Sequence, residues 1–191
     1  MTRRLLKVPK TCNGKEVYSF NILTNNAGTQ CVDLVDENGG VLDSWKPHYE
    51  VGDIVAIAQP YKDIIECLPE YSDIIINVDG SINKEYKAGW TNKMFVRANL
   101  MPHHIKITDV KVERLRDISE EDCLCEGIRY YPSSDKRWSN DSGYGYHIPK
   151  NGLHLFDTPY KAFANLFERI SGKGTWESNP WVVAYSFELV D

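Results

Sequence analysis

The sequence predicts a mixed α+β barrel with packed helices, and three observations point there. Short apolar runs of strand length, separated by turns rich in Asn, Asp and Gly, outnumber the helical segments. Two segments, near 119–127 and 158–172, carry helix start and stop signals instead. The 191 residues are 42% hydrophobic and 12% aromatic, which suits one domain over 1–191 and argues against disorder.

The elements follow in order. Val17–Ile22 and Gln30–Val35 are expected strands joined by the Asn25-Asn26-Ala27-Gly28 turn, and Asp36-Glu37-Asn38-Gly39-Gly40 is a second turn. Val51–Ala58 is a continuous apolar run after Gly52-Asp53 and reads as a strand buried on both faces; Asp73–Val78 reads as another strand. Within Ile105–Leu115, Ile105 and Ile107 share one parity while Val110 and Val112 have the other. A β-bulge near Thr108-Asp109 would put all four on one face. Ser119 caps a helix whose first turn holds Glu120, Glu121 and Asp122, and Gly127 stops it. Thr158 caps the second helix, with Pro159 at its first position and Tyr160, Phe163, Phe167 and Ile170 as its buried stripe. Trp181, Val183, Tyr185, Phe187 and Leu189 alternate with more polar neighbours, which marks a half-buried strand.

Charge and cysteine content narrow the function classes. A net charge of −5 argues against indiscriminate coating of nucleic acid. The charge is blocked, however. Residues 31–79 hold eleven acids against Lys46 and Lys62, whereas 84–116 hold eight bases against Glu85, Asp109 and Glu113. Such blocks either make a basic face or average out in space. Cys12, Cys31, Cys67, Cys123 and Cys125 are odd in number and scattered, which suits reduced thiols and a cytoplasmic location. No apolar run reaches the ~20 residues of a membrane helix, and the start lacks a secretory apolar core. His103 and His104 would point to opposite faces of a strand, Cys123 and Cys125 cannot share one ion on a helix, and neither a serine triad signature nor a phosphate-binding glycine loop is present. No metal and no cofactor are expected.

Residues 105–128, running from Ile105 through Ser119-Glu120-Glu121-Asp122 to Gly127-Ile128, resemble the centre of an ASCH domain, a small barrel of the PUA-like group associated with RNA. The segment 175–189, with Trp176, Asn179, Pro180 and Trp181, is similar to the closing strand of the phage-borne branch of that family. The resemblance implies a PUA-like mixed β-barrel whose cleft is lined by a loop of the form Gly-x-Lys-x-x-Thr-Arg-Arg. Thr2, Arg3 and Arg4 match the end of that loop, while its glycine and lysine have no counterpart here. In a branch that acts as an amidohydrolase on cytidine derivatives, the loop lysine and a threonine work with a glutamate from the later helix. Thr2 and Glu126 fall at the threonine and glutamate positions. Without the lysine, Thr2 needs another base, and its own amine would serve only if Met1 were removed.

Gln59 and Tyr61 stand where the family's Gly-Asp-x-x-x-Val-Arg-Glu-x-Trp segment has Glu and Trp. They read either as a hydrogen-bonding and stacking pair for a base or as a strand end and a core ring. Trp90, Lys93 and Arg97 lie in a segment that resembles the cleft rim, with the cations suited to phosphates and Trp90 to stacking. Residues 129–156 carry Tyr130, Tyr131, Trp138, Tyr144 and Tyr146 among small polar residues, and read as an insertion that is either folded back or a flap. The leading expectation is an RNA- or nucleotide-binding protein of phage or prophage origin, with Arg3, Arg4, Lys93 and Arg97 on phosphates and Gln59, Tyr61 and Trp90 at the base. The alternatives are an amidohydrolase acting on an acylated cytidine through Thr2 and Glu126, and a phage assembly or host-takeover module using the tyrosine-rich segment.

Overall fold

The computed structural model describes residues 1–7, 9–133, 142–148 and 152–190; Trp138 and its neighbours in the tyrosine-rich segment lie outside them. Along the chain come β1 (Thr2–Leu5), β2 (Thr11–Cys12), β3 (Lys15–Glu16), β4 (Ser19–Thr24), β5 (Gln30–Val35), β6 (Val41–Trp45) and β7 (Ile54–Ala56). Helices α1 (Tyr61–Cys67) and α2 (Ser72–Ile75) follow, then β8 (His104–Arg114), α3 (Glu120–Cys125), β9 (Arg129–Tyr131), β10 (Gly143–Ile148), β11 (Gly152–Phe156), α4 (Pro159–Ser171), α5 (Thr175–Ser178) and β12 (Trp181–Leu189). The fold is mixed α+β with antiparallel sheets. No helix among the described residues is long and apolar enough to cross a membrane.

The chain forms two compact units, Met1–Glu50 with Asp109–Ser186 and Val51–Thr108 with Phe187–Asp191. In the first, β1 pairs antiparallel with β12, Thr2 opposite Tyr185 and Leu5 opposite Val182. A second sheet has the order β4-β5-β6, and a third the order β11-β10-β9. The Asn25 side chain accepts from the backbone N–H of Ala27 and Thr29, and Asp36 does the same for Asn38 and Gly40, so both expected turns are tied by Asx geometry. Asp36 itself is held below the usual carboxylate range, first by the Gly40 N–H.

Both predicted helix starts are present. Ser119 Oγ accepts from Asp122 N–H at 3.0 Å, and Thr158 Oγ1 from Lys161 N–H at 3.2 Å. Gly127 takes φ +101° just beyond α3, a conformation that side chains with a Cβ disfavour. The buried face of α4, Ala162, Phe163 and Phe167, joins Leu115, Ile118, Ile128, Tyr146, Trp176 and Val182 in one core. Ile170, expected in that stripe, is 75% exposed. The described residues of the tyrosine-rich segment include β9, β10 and β11, of which β10 and β11 pack on α4, with the Tyr146 hydroxyl 2.5 Å from Asn165 Oδ1.

Three strand expectations change. β12 is buried at four successive positions, Val182 to Tyr185, because strands flank it on both sides and both of its faces are covered. The run Val51–Ala58 yields only the three residues of β7, an edge strand with Ile54 67% exposed, so it is not buried on both faces. Asp73–Val78 is not a strand. Its isoleucines are shared between α2 and a bridge at Ile76, with Ile75 inside and Ile74 outside, since a short apolar run does not specify its period. The phase change in β8 is present: Ile107 and Val110 are buried, with Thr108 and Asp109 both exposed between them.

The second unit has its own core of Tyr61, Ile64, Ile75, Tyr86, Leu100 and Met101. Tyr61 and Tyr86 meet edge to face at 5.4 Å. Gly89 makes this possible, because a Cβ there would lie 2.4 Å from the Tyr61 ring.

Candidate functional site

Strand alternation turns Arg3 inward and leaves Arg4 exposed. The inward position has no water to solvate a cation, so the charge must be matched from the protein. Three carboxylates do this. Arg3 Nε donates to Glu113 at 2.8 Å, Nη2 to Asp122 at 2.8 Å and Nη1 to Glu126 at 2.9 Å. The Arg3 side chain is 0% exposed, and those of Glu113, Asp122 and Glu126 are 15%, 19% and 11%. Glu113 comes from the end of β8. Asp122 and Glu126 are four apart along α3, which brings them to one side of the helix. Lys111 adds a second cation, 3.6 Å from Glu113 and 3.7 Å from Asp122.

Two side-chain cations thus face three side-chain acids. Burial pushes Glu126 above the ordinary glutamate value, opposed by its bond to Arg3. Burial would lower Arg3, but the carboxylates outweigh it and leave its pKa raised. Burial also pushes the neighbouring Cys123 thiol up to about 12, which leaves it protonated and without nucleophilic character.

Beside this cluster runs a groove of about 490 Å³ between β1 and α4. Thr2, Arg4 and Lys7 border it, Glu126 reaches one side, and Leu166 and Ile170 supply accessible apolar surface beside the buried Phe163 and Phe167. Arg4 and Lys7 are exposed, and the Arg4 guanidinium also lies 5.9 Å from the Tyr49 ring centre. Thr2, Arg3, Arg4 and Glu126 are therefore brought together. Arg3, expected on a phosphate, has its guanidinium spent on carboxylates, because its parity on β1 points it into the protein.

The remaining candidates belong to the second unit. Tyr61, expected to stack on a base, is 0% exposed, and its hydroxyl accepts the Arg97 backbone N–H at 2.8 Å. It is a core ring, the other of its two readings. Gln59 is half-buried, with its N–H on the Met101 sulfur, and Trp90 packs partly buried against the Tyr61 core. Lys93 is exposed on a single 3₁₀ turn. Arg97 is also exposed, but its guanidinium is 3.0 Å from Glu85 and 4.9 Å from the Tyr86 ring centre.

Sequence reasoning missed Glu113, Asp122, Lys111 and Lys7. The i,i+4 spacing of Asp122 and Glu126 was a usable signal for a shared cation; nothing local points from Glu113 to a residue 110 positions earlier. No family model matches this chain, and no curated protein or solved structure is significantly similar to it.

Proposed function

We propose that this protein binds RNA or a nucleotide-like ligand in the groove between β1 and α4. The observation that carries the reading is the pairing of exposed Arg4 and Lys7 with an apolar floor that includes Leu166 and Ile170. Phosphates would meet the two cations, and a base would lie against the floor, with Glu126 available to accept from an exocyclic amine. A volume of about 490 Å³ is within the range of small-ligand sites. The ASCH resemblance points the same way, since Arg4 matches the Thr-Arg-Arg end of the loop that lines that family's cleft. The test is fluorescence anisotropy with labelled single-stranded RNA and DNA at low and moderate salt. Saturable binding, stronger for RNA, is expected. Arg4→Ala with Lys7→Ala should lower the salt slope by about 0.7 for each phosphate no longer neutralised. An unchanged slope would exclude the groove as the binding site.

A second reading has one observation in its favour: Thr2 and Glu126 line the same groove. In this reading the protein hydrolyses the amide of an acylated cytidine to the free acid and the amine, with Thr2 as nucleophile. Acid release from N4-acetylcytidine that disappears in Thr2→Ala would establish it, and no release from the wild type would dismiss it.

A further inference from the structure

Strand β4 is an edge of its sheet, paired with β5 alone among the described residues. Its sequence, Ser-Phe-Asn-Ile-Leu-Thr, contains no charge and no proline, the usual guards of an exposed edge. The opposite edge, β6, carries Asp43 and is followed by Lys46. Leu23 of β4 is 51% exposed and the adjoining Tyr18 is 76% exposed.

The register says which backbone groups are open. Asn25 N–H donates to Thr29 across the hairpin, and Thr24 is opposite Gln30. Antiparallel pairs alternate between bonded and non-bonded, so Asn21 and Leu23 turn their backbone groups to β5 while Phe20, Ile22 and Thr24 turn theirs outward. A groove of about 670 Å³ follows this edge, with Trp181 and Arg114 on its other side and Pro9 and Lys10 bordering it. Phe20 meets Trp181 edge to face at 4.9 Å, and the Arg114 guanidinium lies 4.4 Å from the Trp181 ring centre. The charged side chains along the groove, Lys10 and Arg114, are both cationic in a chain of net charge −5.

We propose that the β4 edge takes up an extended acidic segment of a partner protein by strand addition. The added strand bonds to the outward groups of Phe20, Ile22 and Thr24, seats apolar side chains against Phe20 and Trp181, and places carboxylates near Lys10 and Arg114. Main-chain bonds provide the affinity and the two cations choose an acidic sequence over a basic one. A nucleic acid strand would use the cations and rings but would leave the row of outward backbone groups unmatched.

The test uses the full chain and a labelled peptide of alternating valine and glutamate, with the same peptide carrying lysine in place of glutamate as control. Saturable binding of the glutamate peptide alone is expected, about tenfold weaker in Arg114→Glu. The double change Lys10→Glu with Arg114→Glu should transfer binding to the lysine peptide. Ile22→Pro removes an outward N–H without touching the β5 ladder and should abolish binding while the thermal transition persists. No binding, or equal binding by Ile22→Pro, overturns the proposal. A dimer seen by sedimentation that Ile22→Pro dissolves would also overturn it, assigning the edge to a second copy of this chain.

Discussion

Arg3 meets its carboxylates inside the protein, whereas Arg97 meets Glu85 in water. Both guanidinium groups sit about 3 Å from a carboxylate, so distance alone would rank them together. Burial separates them. The Arg3 side chain is 0% exposed and shared by three acids; Arg97 is 49% exposed and its partner 62%. Around Arg3 the low-dielectric surroundings make every unpaired charge costly. Around Arg97 water solvates either partner as well as the other does, and the neighbouring structure rests on the Tyr61–Tyr86 contact beneath it. The same pair of residue types thus builds a structural node in one unit and a surface ornament in the other.

Removing Arg3 should give the largest effect. Arg3→Ala takes the buried cation from Glu126 and leaves Glu113 and Asp122 with Lys111 alone, and should cost about 3–5 kcal/mol in a urea titration; a loss no greater than that of Arg97→Ala would break the comparison. Gly89→Ala tests what supports the Arg97 surface. The new methyl overlaps the Tyr61 ring, and the expected loss is about 1–3 kcal/mol. Next is a pH effect. The folded state holds Glu126 above its ordinary value of 4.5, so it binds that proton more tightly than the unfolded chain. The contribution is fully present in acid and is lost as pH rises through the raised value. Wild-type stability relative to Glu126→Gln should therefore improve as pH falls from neutral toward 4.5. A flat difference would mean that Arg3 compensates Glu126 in full. Arg97→Ala should produce the smallest change, a melting temperature indistinguishable from wild type at high salt, where the exposed pair is screened.

What was legible in the sequence was local. Ser119, Thr158, Pro159, Gly127 and the Asn25 and Asp36 turns each act within a few residues, and each element they punctuate is present. The parity switch at Thr108-Asp109 was readable for the same reason. What failed depended on neighbours far along the chain. β12 looked half-buried because its alternation is real, but strands on both sides and cover on both faces override it. The parity of β1, which separates Arg3 from Arg4, is set by pairing with residues 182–185 and has no local signature in four residues. Tyr61 could be either a stacking platform or a core ring until the Gly89 gap that receives it was visible.

The pairing of β1 with β12 has a consequence for the order of assembly. Thr2 is synthesised 183 residues ahead of its partner Tyr185. At roughly 5–20 residues per second, the ribosome delivers that partner on the order of ten seconds or more later. Until then the strand has no native edge to join, and Arg3 waits through most of that interval for Glu113, Asp122 and Glu126. Sequence-distant pairing of this kind slows folding and leaves β1 exposed meanwhile. A chain stalled short of β12 should therefore keep β1 accessible to protease, and completing β12 should be the event that hides it.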